Sequence, residues 1–471
     1  GASSGAGTFT EAMRIAGSSG LATFSGGIVE TNGVLKSNLL SNSGFDVWSN
    51  STLEDVTGTN LVSSWDDTPY DYNVAFTTSG ANITRAANSS GYGVATASIA
   101  SPVVGKLYEI SFTITLASGT MPFVYTGTAV GNNNGSVSET PTAGANTIVF
   151  EAAANDDVIM FWINDGISTD FAVSSFTLKE KVPGCVAADA LAFDGWKKDS
   201  ANLTLERYHW DGGSAGAVGD SKDGSFYTAK MVSTAAKVMY WDTMTGTDLD
   251  WVARWKGRTV TLGAWVKSSV AAKGSLTVYT NGGSSTSTNT GTGWEWIETT
   301  FAIATSATTV LFWIKSDTAT TFVSQPMLVF GNAIGSGNYS RPSGEIIWLE
   351  GHTPSNKFNG KTGFSNESAT LLNAEADSNG KIPKGAKAIS VQMVGRDAVS
   401  SSNQCDAMLG GNSNVQAVTC TASGVPNDVN VQATGWTPCD ANGDYYYKIN
   451  ASGTGTWDFY NNFTYQAVEL R

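Results

Sequence analysis

The sequence predicts an all-β protein, with two tandem β-sandwich modules, a C-terminal β-sandwich head and a short N-terminal β segment. Three observations predict it. Aromatic and β-branched runs are broken every few residues by Gly, Asn and Ser, the pattern of short strands joined by turns. The 471 residues include 52 Gly but also 20 Phe, 15 Tyr and 15 Trp, which supply far more apolar area than a disordered chain carries. Tyr108, Ile110, Phe112 and Ile114 alternate with period two, the mark of a half-buried strand, whereas no segment reads as a long amphipathic helix. The third observation is a repeat.

Val158–Leu178 and Thr309–Val329 align without a gap. Phe161-Trp162-Ile163 recurs 151 residues later as Phe312-Trp313-Ile314, and Phe171 recurs as Phe322. Upstream, the stretch opening at Gly105-Lys106 pairs with the one at Gly257-Arg258, and Phe45-Asp46-Val47-Trp48 pairs with Phe193-Asp194-Gly195-Trp196. Three anchors in one order at nearly constant spacing mark a duplicated domain. A solenoid repeats over a much shorter period, about 20–50 residues. Strands with one apolar face must pack on a second sheet, so each copy is expected to be a sandwich.

Taken in order, residues 1–36 hold short extended pieces and an Asn32-Gly33 turn signal. They are too few and too rich in Gly to bury Phe24, Ile28, Val29 or Leu35 alone, so the segment is either a frayed end or a stem closed by several copies. Residues 37–182 form the first module and 183–345 the second with its junction. In both, the Phe and Trp of the repeated Phe-Asp-x-Trp are expected to pack rather than bind. Residues 346–471 form the head, with strands expected after Pro383 and Gly385, at Asp444–Asn450 and near the C-terminus.

These residues carry a resemblance. Asn38 to Trp48 resembles the opening of galactose-binding-like jelly-roll carbohydrate-binding modules found in phage fibres and polysaccharidases. Gln325, Leu328, Gly331, Tyr339, Arg341, Pro342 and Glu345 are similar to a junction common in phage tail fibres, and Glu206–Trp210 to the strand that often begins the matching phage modules. The N-terminal segment resembles trimeric fibre stems, and the C-terminal unit resembles fibre heads. The resemblance implies jelly-roll sandwiches, a homotrimer in an extracellular phage tail alongside other virion tail proteins, and attachment to host-surface polysaccharide or lipopolysaccharide. It also implies a structural Ca²⁺ with Asp46 and Asp194 as ligands, although Ser174-Ser175 and Gln325-Pro326 stand where the family has its acidic partners.

Charge narrows the partners. With 27 basic and 41 acidic residues the net charge is −14, a poor match for nucleic acid or an anionic membrane. No apolar run approaches the roughly 20 residues of a membrane span, so no membrane insertion is expected. Cys405, Cys420 and Cys439 fit no zinc spacing; one disulfide among them and buried thiols both stay open. Acidic pairs such as Asp66-Asp67, Asp248/Asp250 and Glu295/Glu298 have no fixed separation, and neither His209 nor His352 is tied to a nucleophile. The chain is therefore expected to be no enzyme, the alternatives being a polysaccharide depolymerase or its binding part, and a purely structural virion protein.

Sugar binding needs flat aromatic faces beside amides and carboxylates. Loop-like stretches offer Trp65, Asp66, Tyr70 and Tyr72 in the first module, and Trp210, Asp211, Trp241 and Trp251 in the second. Tyr446 and Trp457 are the candidates in the head.

Overall fold

The computed structural model describes residues 14–15, 22–23, 37–56, 60–66, 74–77, 82–85, 93–99, 102–163, 169–186, 192–199, 202–209, 221–222, 224–241, 246–342, 344–397, 400–401, 405–451, 456–459 and 462–470. They are built almost wholly of antiparallel strands, with two short helices, Leu249–Ala253 and Ala374–Asp377. The all-β expectation holds. In the N-terminal segment, Arg14–Ile15 pairs with Ala22–Thr23; the rest of the expected stem lies outside the described residues.

Each module is a sandwich of a five-stranded sheet against part of a large eleven-stranded one. In the first, Ile110, Phe112 and Ile114 of the Leu107–Ser118 strand meet Ile159, Phe161 and Ile163 of the Val158–Ile163 strand. In the second, Leu262, Ala264 and Val266 meet Phe312 and Ile314 in the same way. The large sheet runs unbroken through both modules, because Gly184 and Cys185 at the end of Asp170–Cys185 pair with Glu206 and Leu205 of the next module. The two sandwiches therefore stand side by side on one hydrogen-bonded wall. The head packs a six-stranded sheet on a four-stranded one, with Ile389, Val391 and Met393 facing Leu409, Tyr445 and Tyr447.

The duplication reaches the backbone. Gly105 and Gly257 both take left-handed φ, 87° and 71°, which a side chain would resist, and each amide donates across to the paired strand, to Ala152 O and Ile303 O. Ser175 and Gln325 are left-handed too, at 54° and 53°, and each sits in a bulge of its module's closing strand.

One placement departs from the expected boundary at residue 37. Residues 38–51 precede the first module in sequence, yet Leu40, Phe45 and Trp48 lie in the core of the second. The physical reason is the duplicated motif itself. Phe45 packs edge-on to Phe193 at 5.2 Å and to Trp196 at 5.5 Å, and Trp48 stacks on Phe193. All four aromatics are buried, as expected for packing residues. The junction residues close over the same segment. Leu328 N donates to Asn38 Oδ1 at 3.0 Å, the Tyr339 and Ser43 hydroxyls share a hydrogen bond at 3.1 Å, Arg341 pairs with Asp46, and Glu345 accepts from Asn42 N at 2.7 Å. The head joins in. Trp48 N donates to Lys381 O, and Gly351 N donates to Ser49 Oγ at 2.7 Å. Residues 38–51 thus form a keystone shared by the second module, the junction and the head.

A second bond between second module and head is buried. Arg207 of the Leu203–His209 strand pairs with Glu375 of the short head helix, and both side chains are almost wholly enclosed. Arg207 also donates to Asp46 O at 2.6 Å and lies over the Tyr227 ring, whose hydroxyl donates to Glu375 at 3.2 Å. Burial, only partly offset by Arg207, pushes the Glu375 carboxyl up to about 7.

Candidate functional site

The outer face of each five-stranded sheet carries half-buried aromatic rings, while the more exposed Trp348, Phe226, Phe330 and Trp436 lie elsewhere. In Phe161-Trp162-Ile163 and Phe312-Trp313-Ile314, the flanking Phe and Ile point into the cores while the Trp between them is only half-buried. Period-two geometry requires this alternation, since successive side chains leave a strand on opposite faces. The neighbouring strands add more rings. Trp313 is opposite Thr277 of the Gly274–Thr280 strand, and Tyr279 two positions on lies parallel to the indole, 4.8 Å between centroids and 11° between planes. Trp162 is opposite Phe123 of Phe123–Gly127, and Tyr125 two positions on meets it edge-on at 5.9 Å. Phe123 and Tyr125 themselves stack at 5.6 Å. Both modules therefore carry a Trp–Tyr pair at corresponding positions of corresponding strands.

In the second module this face is a shallow groove of about 480 Å³. Tyr279 and Trp313 form one part of it. A hydroxyl row from Ser275, Thr277, Ser284, Thr286 and Thr288 forms the floor and one wall, because the Gly283–Thr288 strand presents alternate residues outward. Lys273, Lys315 and Asp317 line the rest, with ammonium-to-carboxylate distances of 3.3 Å and 3.9 Å. Desolvation would raise the Asp317 carboxyl, but the hydrogen bonds from Lys273 and Thr318 and the two lysine charges outweigh it and hold the group below its ordinary value. Flat rings beside hydroxyls and charged hydrogen-bonding groups can stack on the apolar face of a sugar and bind its hydroxyls together.

The expected site residues fare differently. Trp65 and Asp66 lie on the Val62–Asp66 strand, opposite Ala97 and Thr96. Tyr70, Tyr72, Trp210 and Asp211 lie outside the described residues. Trp241 and Trp251 are a correction, because both are buried and pack on each other at 5.3 Å. The cause is local. Asp248 caps the Leu249–Ala253 helix by accepting from the amides of Asp250 and Trp251, and that turn directs Trp251 inward, where its indole N–H donates to Val310 O at 2.9 Å. Trp241 donates to Ser41 Oγ at 3.1 Å. Trp457 is a second correction: it is fully buried against Gly395, where any Cβ would collide with the indole. Enclosed rings have no face to offer a ligand. Tyr446 is half-buried on Tyr445–Asn450, opposite Leu371 and Gly410.

Of the carboxylates offered for catalysis, Glu295 and Glu298 hold loops. Glu295 accepts from Thr290 N at 2.8 Å and from Gly291 N, and Glu298 accepts from Trp296 Nε1, Ile334 N and Gly335 N. The pair offered for Ca²⁺ does not fit that ion. Asp46 faces the Arg341 guanidinium. Asp194 accepts from Ser49 N and Ser49 Oγ, each at 2.6 Å, and from Glu350 N at 2.8 Å. A guanidinium and three N–H or O–H donors occupy the directions from which a cation would be coordinated, and Ca²⁺ needs six to eight oxygens. Among the described residues, no three His, Cys, Asp or Glu side chains group as metal ligands. None of the four cysteines is disulfide-bonded, and Cys185, Cys405 and Cys420 are buried. No described helix is long and apolar enough to cross a membrane.

No family model matches the chain, and no curated protein matches it. The weakly similar solved structures include the following two. The N-terminal CBM22-1–CBM22-2 tandem domain of Paenibacillus barcinonensis Xyn10C is 12% identical, with a TM-score of 0.21 over 59% of this chain and 97% of that one. A triple jelly-roll protein of the turret assembly in an archaeal virus is 9% identical, with a TM-score of 0.15 over 87% of this chain and 91% of that one. At these scores neither likeness assigns a property to this chain.

Proposed function

We propose that this chain is a non-catalytic attachment protein of a virion, which holds cell-surface glycan on the outer faces of its two sandwich modules. The observation that carries the reading is the repeated Trp–Tyr pair, Trp162 with Tyr125 and Trp313 with Tyr279, half-buried on the outer face of both copies. Half-buried Trp rings beside a hydroxyl-rich groove are costly to leave in water unless a ligand covers them. The placement in a trimeric phage tail fibre rests on the resemblance of the junction and stem sequences. In such a fibre two modules per chain, on three chains, would let weak single contacts add up to firm attachment.

The test is retention of the purified chain on immobilised host polysaccharide and lipopolysaccharide. Wild type is expected to be retained and to compete with virions for host cells, with Trp162→Ala and Trp313→Ala each weakening retention and the double variant abolishing it. Retention that ignores both substitutions would defeat the reading, as would shortening of the polysaccharide during incubation. Sedimentation as a monomer would remove the trimer but leave the glycan sites standing.

A further inference from the structure

The two aromatic faces differ in charge. Along the Val310–Asp317 strand, Trp313, Lys315 and Asp317 leave on the outer face at every second residue. Lys315 thus follows the Trp313 ring by about 7 Å along the strand, a distance on the scale of one sugar residue. Lys273 enters from the turn beside it and meets the same carboxylate, Asp317. Two ammonium groups therefore share one carboxylate, and one positive charge remains in the groove next to the stacked rings. The chain as a whole carries −14, so this local excess runs against its general trend. Among its described strands, the first module's five-stranded sheet has no lysine or arginine. The residue two after Trp162 is Asn164, where the second module has Lys315.

The geometry points to a division of labour: the second module takes an acidic glycan, its anionic group held by Lys273 and Lys315 while the ring stacks on Trp313 and Tyr279, and the first module takes a neutral one. This deepens the attachment reading above and rests on it. The anionic group is a uronic carboxylate or a phosphate substituent, since both present acceptor oxygens and negative charge to an ammonium donor. Asp317 then serves to orient the two lysines and to repel an anion seated one residue too far along the strand.

The experiment is an array of uronate-bearing, phosphate-bearing and neutral oligosaccharides, probed with wild type, Lys273→Met/Lys315→Met, Trp313→Ala and Trp162→Ala, each checked for a wild-type melting profile. Wild type is expected to bind both acidic and neutral glycans. Lys273→Met/Lys315→Met should lose acidic binding by roughly ten-fold or more, the worth of a charge-assisted hydrogen bond, and keep neutral binding. Trp162→Ala should show the reverse selectivity. The uronate and phosphate arms identify which anion is recognised. Acidic binding that survives Lys273→Met/Lys315→Met, or a Trp162→Ala variant that binds neutral glycans only, overturns the division. If no glycan binds at all, or if binding ignores both Trp substitutions, the attachment reading fails with it.

Discussion

Trp48 stacks on Phe193, with 4.4 Å between ring centroids and 27° between planes. The two residues belong to separate copies of one motif, 145 positions apart in sequence, and each is fully buried. The duplicated motif is therefore self-complementary. Its two halves are not equivalent: Trp48 stacks on Phe193 while Trp196 meets Phe45 edge-on, and Asp194 accepts from Ser49 while Asp46 turns to Arg341.

Phe193→Ala should be among the most damaging single changes in the chain. It removes the common partner of Phe45, Trp48 and Trp196 from a closed core, a loss on the order of 3–5 kcal/mol. Urea unfolding followed by tryptophan fluorescence reads it. A change under about 1 kcal/mol would mean that the cluster does not hold the module.

The joint between second module and head should weaken as pH rises. Burial lifts the Glu375 carboxyl from 4.5 to about 7, and that of Asp444 from 3.8 to about 6. The folded state then binds more protons than the unfolded state across that window. The stabilisation is complete below the unfolded values and is lost as pH rises through the folded ones. For Glu375 the loss amounts to about 3 kcal/mol at most. Glu375→Gln, which keeps the neutral form at every pH, should be flatter with pH and lose less stability than wild type as pH rises. Urea midpoints measured on either side of the window decide the matter, and parallel slopes for both proteins would rule the assignment out.

Chelation should leave stability unchanged, because Asp46 and Asp194 already have protein partners. Melting with and without EDTA checks this, and a clear fall with EDTA would restore the calcium site. By contrast, Asp194→Ala strands three donors, Ser49 N, Ser49 Oγ and Glu350 N, and should cost about 3 kcal/mol or more.

Trp241→Phe and Trp313→Ala should separate packing from recognition. The first removes a buried bond to Ser41 and should lower stability by about 1–3 kcal/mol while leaving glycan affinity intact. The second removes a half-exposed ring and should do the opposite. Loss of glycan affinity in folded Trp241→Phe would refute this division.

The fold was legible because its signals are local. The alternation at Tyr108–Ile114 and the two Phe-Trp-Ile runs mark strands, and the repeat shows that one solution was used twice. The binding face was less legible for a related reason. Trp162 and Trp313 sit between two core residues, and in an apolar run an outward Trp looks like one more core residue until the pleat is counted. Trp241 and Trp251 misled in the other direction. Their aspartate neighbours suggest an exposed loop, but Asp248 spends its carboxylate on a helix cap and turns the rings inward. The keystone was beyond reach, since Asn38, Ser49 and Asn42 find their partners in residues roughly 150 to 300 positions away.

That last separation has a consequence in time. Residues 38–51 leave the ribosome before their partners Asp194, Leu328, Glu345 and Gly351, which arrive only as synthesis proceeds toward the head. Until then Phe45 and Trp48 have no core to enter. Closing loops of that length makes the final docking slow and exposes apolar surface while it waits. The first module, whose sheets need only residues up to Cys185, can fold as it emerges. The second module waits for residues 38–51 to be locked by their late-made partners, so its core is the part that closes last.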